Sequence, residues 1–116
     1  MKQNNVIVDK SKKFALRIIK LYKYLITEKK EYVLSKQILR SGTSVGANIR
    51  EAVRGYSAAD FYFKMGLSLK ETEETLYWLE LLHESDYIET KHFESIYADG
   101  REIIRILTSI TKNQSQ

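Results

Sequence analysis

The segment RSGTSVGANIREA, residues 40–52, decides the fold, because its composition fits a glycine-rich loop, a phosphate-binding turn or a helix. Residues three and four apart share one face of a helix. The positions with this spacing continue without a break past Gly42 and Gly46. They are Leu34, Ile38, Ser41, Val45, Ile49, Ala52 and Tyr56. The periodicity therefore predicts a helix. A phosphate-binding turn is excluded, because no predicted strand precedes the segment and no Gly-Lys-Ser/Thr closes it.

Gly42 and Gly46 lie together at one margin of this apolar stripe. A glycine inside a helix costs about 1 kcal/mol relative to alanine. We therefore expect a neighbouring helix to approach closely at both glycines, which makes a packing groove; the alternative is a groove that holds a ligand. Asn48 lies at the other margin of the stripe, and we expect its amide to hydrogen-bond across helices and fix their register rather than bind a ligand.

Three further segments have helical periodicity. The first opens at Asp9 or Ser11 and the third starts after the N-cap Ser57, with Asp60 in its first turn; the fourth follows Thr90. The four predicted helices span residues 9–29, 32–56, 58–85 and 90–111. Together they predict an all-α fold, an antiparallel up-down-up-down four-helix bundle that forms a single domain over residues 1–116, with short disordered ends at about 1–8 and 112–116.

Composition narrows the function classes. The chain has 116 residues and contains no cysteine, so disulfides, thiolate metal sites and thiol nucleophiles are excluded. Neither a signal peptide nor an apolar run long enough for a membrane span is present. We therefore expect a cytoplasmic protein without a membrane partner. Its net charge is +4, a modest excess that suits acidic partners.

The basic residues are concentrated near the N-terminus. Residues 1–30 carry a net charge of +7, whereas residues 57–88 carry −5. Helical spacing arranges basic side chains in two stripes, one on each of the first two predicted helices: Lys10, Lys13, Arg17 and Lys20, then Lys36, Arg40, Arg50 and Arg54. Such stripes are typical of contacts with a phosphate backbone, although Glu51 is placed to pair with Arg54. The alternatives are solvated faces, or contact with the acidic third helix of another subunit.

The third predicted helix has a second apolar strip opposite its core face. Its members are Phe63, Leu67, Tyr77, Trp78 and Leu81. A helix in a monomeric bundle needs only one apolar face, so the second predicts a homo-oligomer interface. Tyrosine and tryptophan are enriched at the residues that contribute most to such interfaces.

Catalytic and metal-binding patterns are weak. Glu80 to His83 and Glu89 to His92 both have the Glu-x-x-His spacing of di-iron bundles, but the two further inward glutamates that such a site needs are missing. No histidine is placed to activate a serine. We predict no enzymatic activity, no metal and no cofactor.

Two blocks of sequence resemble a known bacterial family. They are SKQILRSGTSVGANIREA at residues 35–52 and DFYFKMGLSLKETEETLYWLELL at residues 60–82. In order and spacing they are similar to the four-helix-bundle proteins of 23S rRNA intervening sequences, over roughly residues 10 to 110. The resemblance implies an antiparallel four-helix bundle, ring-shaped homopentamers and a nucleic-acid role, and it brings no catalytic residues. Related accessory proteins of diversity-generating retroelements share the fold and resemble partners of RNA and reverse transcriptase.

Charge pattern and resemblance together favour a non-enzymatic, oligomeric nucleic-acid-binding protein, with RNA expected rather than DNA. The alternative is an adaptor or scaffold ring that binds a protein partner and has no nucleic-acid role.

Overall fold

Four helices make up most of the computed structural model, which describes residues 2–115. They are α1 (Lys2–Thr27), α2 (Leu34–Val53), α3 (Ala58–Glu84) and α4 (Thr90–Lys112), followed by a 3-10 turn at Asn113–Ser115. Residues 2–115 include no strand, so the predicted all-α class is confirmed. No helix in this range is long and apolar enough to cross a membrane.

The helices pack in a closed ring of neighbours. α1 and α3 each pack against both α2 and α4. Between α1 and α4, Lys10 meets Glu102 and Arg17 meets Asp99, so the contacts run in opposite directions along the two helices. This order agrees with the predicted antiparallel packing, and the molecule measures 46 × 21 × 20 Å.

The predicted apolar faces meet along the axis of the bundle. The large side chains that are almost fully buried include Phe14, Ile18, Leu21, Leu25, Ile38, Ile49, Met65, Leu79, Ile96 and Ile103. Fully burying one side chain of this kind stabilises a fold by about 1.5–3 kcal/mol. The apolar stripe that runs through the two glycines of α2 is therefore part of the core.

α1 begins at Lys2, seven residues before the predicted start at residue 9. Ser11 does not cap its N-terminus, because its hydroxyl donates to the Val8 carbonyl at 3.1 Å inside the helix. Ile7 continues the apolar stripe toward the N-terminus and is fully buried. Residues 2–8 and 112–115, predicted to be disordered, thus lie in helical structure; Met1 and Gln116 lie outside the described residues.

α2 ends at Val53, three residues before the predicted end at residue 56. The Gly55 N–H donates to the Ala52 carbonyl at 3.1 Å, which closes the turn. Tyr56 is therefore out of phase with the core stripe to which the periodicity assigned it, and its side chain is fully exposed. The prediction that Tyr56 belongs to the core was wrong.

A buried carboxylate that the periodicity did not reveal begins α2. Glu31 accepts hydrogen bonds from the backbone N–H groups of Val33, Leu34 and Ser35 at 3.2, 3.0 and 2.7 Å. The first N–H groups of a helix have no partner within the helix, so this carboxylate, two to four residues before these groups in the chain, acts as their cap. α3 begins as predicted, with the Ser57 hydroxyl accepting the Asp60 N–H at 3.1 Å.

Candidate nucleic-acid interface

Two of the four basic residues predicted on α1 are paired with α4. Lys10 Nζ lies 3.2 Å from Glu102 Oε1, and Arg17 donates to Asp99 Oδ2 at 2.7 Å. These ion pairs join α1 to α4. The two carboxylates therefore already offset positive charge that the sequence pattern predicted to contact phosphate. Lys13 pairs with Asp9 at 3.0 Å, but both side chains are well exposed and such a pair is weak.

Arg40 lies between α2 and α3 and is not on a free face. It donates to Glu74 Oε2 at 2.6 Å, and its other terminal nitrogen lies 3.6 Å from Glu71 Oε2. The prediction placed Arg40 opposite the core and available to phosphate. In the structure Arg40 instead links α2 to α3 by ion pairs, because the axial register of the two helices brings two carboxylates beside it.

Four of the predicted basic residues have no carboxylate partner within the described part of the chain. All are exposed, and they are Lys20, Lys36, Arg50 and Arg54. Lys12, which was not among the predicted residues, is also exposed and without a described ion-pair partner. Unlike Lys10, Arg17 and Arg40, these five side chains carry charge that no carboxylate of the described residues offsets.

A shallow groove between α1 and α2 brings part of this charge together. It has a volume of about 250 Å³ and is lined by Ser11, Lys12, Ala15, Thr43, Gly46, Ala47 and Arg50. Five of these residues are small, and Lys12 of α1 and Arg50 of α2 are its two cations. The two helices approach closely here, because a Cβ at Gly46 would lie 3.3 Å from the Ser11 hydroxyl and one at Gly42 would lie 2.8 Å from Ile18.

Arg50 also lines a second, larger cleft at the turn between α2 and α3. This cleft has a volume of about 410 Å³ and is lined by Arg50, Glu51, Arg54, Gly55, Tyr56, Asp60 and Lys64. Glu51 accepts from Lys64 Nζ at 2.8 Å and forms no ion pair with Arg54. This hydrogen bond is the largest cause that raises the pKa of Lys64 above its ordinary value. Glu51 therefore pairs with Lys64 and not with Arg54.

The two predicted basic stripes do not form one continuous surface. Arg17 and Lys20 line a cavity of about 340 Å³ with Leu21, Tyr24 and His92 of α4. Lys12, on another side of α1, meets α2. The groove and the adjoining cleft therefore define the candidate interface as Lys12, Arg50 and Arg54, with Lys36 exposed nearer the other end of α2.

The predicted oligomer strip on α3 is divided between exposed and packed side chains. Phe63 is 63% exposed and Tyr77 is 53% exposed. Leu67, Trp78 and Leu81 are half-buried, and Trp78 Nε1 donates to Glu74 at 3.0 Å. Phe63 and Tyr77 are thus the members of the strip whose rings are open to a partner.

Comparison with known proteins gives a direct assignment. The model of the family described as 23S rRNA-intervening sequence protein matches residues 3–109. The chain belongs to the 23S rRNA-intervening sequence protein family. The family assignment agrees with the resemblance in the two sequence blocks.

A solved protein has nearly the same structure. It is a protein of unknown function from the S23 ribosomal protein family of Bacteroides thetaiotaomicron, and it is 56% identical to the chain, with a TM-score of 0.93. The alignment covers 95% of this chain and 98% of that one. A comparison with curated proteins finds no match.

Asn48 lies in the sequence block that carries the family resemblance, but its amide does not reach another helix. Its Nδ2 donates to the Ser44 carbonyl of the same helix at 2.9 Å. The predicted bond between helices was therefore wrong. Hydroxyls take that place: Thr75 Oγ1 donates to Ser41 Oγ at 2.8 Å, and Ser68 Oγ donates to the Val45 carbonyl at 2.8 Å.

In the first Glu-x-x-His pair of this family member, both side chains have other partners. Glu80 accepts from the Tyr97 hydroxyl at 2.6 Å, which is the largest cause that raises the pKa of Tyr97. His83 Nε2 lies 3.0 Å from Thr90 Oγ1, and its ring stacks on Phe93 with centroids 4.2 Å apart. Among residues 2–115, no group of three or more metal-ligating side chains lies together.

Proposed function

We propose that this family member is a non-enzymatic RNA-binding protein whose affinity comes from phosphate contacts at the α1–α2 groove and the adjoining cleft. The observation that carries the proposal is the unpaired set Lys12, Arg50 and Arg54, which line the groove and the cleft together with small side chains. Unpaired cations release condensed counterions when they bind phosphates, which drives association. The small side chains that line the groove let a nucleic-acid backbone come close.

RNA is favoured over DNA because the family is described by its link to 23S rRNA. Contacts made mainly to phosphates position a ligand without reading its sequence. Binding is then weakly sequence-specific and steeply salt-dependent, and it takes place in the cytoplasm. Arg40, Lys10 and Arg17 contribute less than their sequence positions suggested, because each is already paired with a carboxylate.

The proposal includes self-association through the α3 strip, and the family resemblance favours a homopentamer. A ring repeats each basic groove once per subunit. When weak sites are linked, binding at one site raises the effective concentration of the ligand at the others. A modest net charge per chain therefore suffices for tight binding.

The two arginines of the interface offer a matched test. Arg50 and Arg54 are exposed, four residues apart and without a described ion-pair partner, and so are Arg101 and Arg105 on α4. We expect Arg50→Ala/Arg54→Ala to weaken binding to a structured RNA and to reduce the slope of log affinity against log salt by about 0.7 to 0.9 for each phosphate that is no longer neutralised. Arg101→Ala/Arg105→Ala removes the same charge and should leave binding close to wild type in fluorescence anisotropy titrations.

Two outcomes contradict the proposal. One is a wild-type protein that retains neither RNA nor DNA at about 50 mM salt, where phosphate contacts are strong. The other is an equal decrease of affinity in both double variants, which would mean that overall charge and not this groove drives association. In either case, the adaptor alternative is favoured if a pull-down recovers one dominant protein and nuclease treatment does not change the result. The exposed Phe63 and Tyr77 provide an apolar contact for such a protein partner.

A further inference from the structure

The turn between α2 and α3 exposes an aromatic ring completely. Tyr56 has a relative accessibility of 104%, so its side chain is open to solvent on all sides. Burying an aromatic side chain is favourable, and nothing in the subunit makes use of this ring. The ring is available to a ligand.

The backbone that carries Tyr56 is well anchored on both sides. Before it, the Gly55 N–H bonds to the Ala52 carbonyl, and the Asp60 carboxylate packs so tightly on Gly55 that a Cβ there would collide with it. After it, Ser57 caps α3. A ring on a fixed turn loses little backbone freedom when it binds a partner.

The cleft around the ring carries charges of both signs, and its lining includes the carboxylates of Glu51 and Asp60. Tyr56 lines the same cleft as Arg50 and Arg54, which lie one helical turn apart and have no described carboxylate partner. Lys64 is the third cation of the cleft, and it is held by Glu51. An aromatic ring beside unpaired arginines is the combination that binds single-stranded nucleic acid, in which the base stacks and the phosphates pair.

We propose that Tyr56 is a stacking platform for an unpaired base of RNA, while Arg50 and Arg54 contact the phosphates that flank that base. The inference rests on the proposed function and defines its ligand class. The ligand is RNA with an unpaired nucleotide, in a loop, a bulge or an end, and not an uninterrupted duplex. In a duplex the bases are stacked on one another and cannot be reached by the ring.

Tyr24 is another tyrosine near basic residues, in the cavity between α1 and α4. There Arg17 is paired with Asp99 at 2.7 Å, so the cavity has less available charge. The Tyr56 cleft is therefore the better platform, and Tyr24 serves as a second arm of the test.

The test compares two RNA probes of equal length, a hairpin with an unpaired loop that contains one 2-aminopurine and a blunt duplex. We expect Tyr56→Ala to weaken hairpin binding about tenfold and to leave duplex binding unchanged. Tyr56→Phe should bind as wild type, because it keeps the ring. The 2-aminopurine fluorescence should be quenched by the wild type and by Tyr56→Phe, but not by Tyr56→Ala.

Tyr32→Ala is the matched control, because Tyr32 is an exposed tyrosine in the turn between α1 and α2. It should resemble wild type with both probes, as should Tyr24→Ala. The stacking role is refuted if Tyr56→Ala binds the hairpin as wild type does, or if its affinity for both probes falls equally. If the duplex still binds and Arg50→Ala/Arg54→Ala weakens it, RNA binding survives without stacking; if wild type binds neither probe, both proposals fail.

Discussion

Gly42 and Gly66 both lie inside helices, but their surroundings differ. A Cβ at Gly42 would lie 2.8 Å from two carbons of Ile18, which is fully buried and β-branched and cannot move aside. A Cβ at Gly66 would meet nothing within 4 Å. The same substitution therefore has opposite effects at the two positions.

We expect Gly66→Ala to raise the free energy of unfolding by about 0.5–1 kcal/mol, because alanine favours the helix and restricts the unfolded chain. Gly42→Ala gains the same preference but overpacks the interface between α1 and α2, which costs about 1–3 kcal/mol, and should be destabilising. Urea denaturation of the two variants measures both signs. Stabilisation by Gly42→Ala would mean that the two helices are not held at this distance.

At the residue scale, the sequence predicted the helix face on which a charged side chain lies better than it predicted the partner of that side chain. Periodicity identifies the face of a helix on which Arg40 lies, but Glu71 and Glu74 reach it only through the axial register of two helices. Tyr56 was misplaced for a similar reason. The phase extrapolates to Tyr56 only while the helix continues, and α2 ends at Val53.

α2 and α3 are joined by buried hydroxyl groups as well as by apolar side chains. Thr75 Oγ1 lies 2.8 Å from Ser41 Oγ across the two helices, and both residues are fully buried. Each hydroxyl also has a carbonyl acceptor in its own helix, Glu71 O at 2.8 Å for Thr75 and Ile38 O at 3.4 Å for Ser41. A single variant therefore loses the bond between the helices, whose net contribution is about 0.5–1.5 kcal/mol, but leaves the other hydroxyl with an acceptor.

A double-mutant cycle tests this hydrogen bond. We expect Thr75→Val and Ser41→Ala each to lower the free energy of unfolding, and the double variant to be less destabilised than the sum, with a coupling energy of about 0.5–1.5 kcal/mol. Chemical denaturation of the four proteins gives the coupling. Additive effects would mean that the hydroxyls do not interact in solution.

At the element scale, the sequence predicted the number, order and buried faces of the helices, since a repeated apolar period is a strong signal. Helix ends were less accurate. The start of α1 was missed because Ser11 resembles a cap, although Ile7 extends the apolar face beyond it. The start of α2 depends on the Glu31 carboxylate, whose capping position does not follow the usual serine, threonine, aspartate or asparagine preference.

Across the whole molecule, packing changes the charge pattern of the chain. The N-terminal excess is partly neutralised by the pairs of Lys10 with Glu102 and of Arg17 with Asp99, both between α1 and α4. Among residues 2–115, Lys12, Arg50 and Arg54 stay exposed and unpaired at the α1–α2 groove and the adjoining cleft. A sequence average cannot show this, because it counts charges that the fold has already paired.

The proposed oligomer also depends on what the fold leaves uncovered. Trp78 packs against the core and donates to Glu74, so its removal would weaken the subunit as well as any interface. Phe63 and Tyr77 are 63% and 53% exposed, and they lie about four turns apart on one face of α3. Replacing these two side chains therefore tests association without weakening the folded subunit.

We expect Phe63→Ala/Tyr77→Ala to shift the protein toward monomer in sedimentation velocity while its urea denaturation midpoint, measured below the assembly concentration, stays near wild type. Aromatic side chains at the centre of an interface each contribute about 2 kcal/mol or more, so removing two of them should raise the dissociation constant by orders of magnitude. Leu16→Ala/Tyr32→Ala removes two exposed apolar side chains outside α3 and should leave the oligomer intact. A wild type that sediments as a monomer at micromolar concentration would remove the basis for a ring, and RNA affinity would then depend on the unpaired cations of one subunit alone.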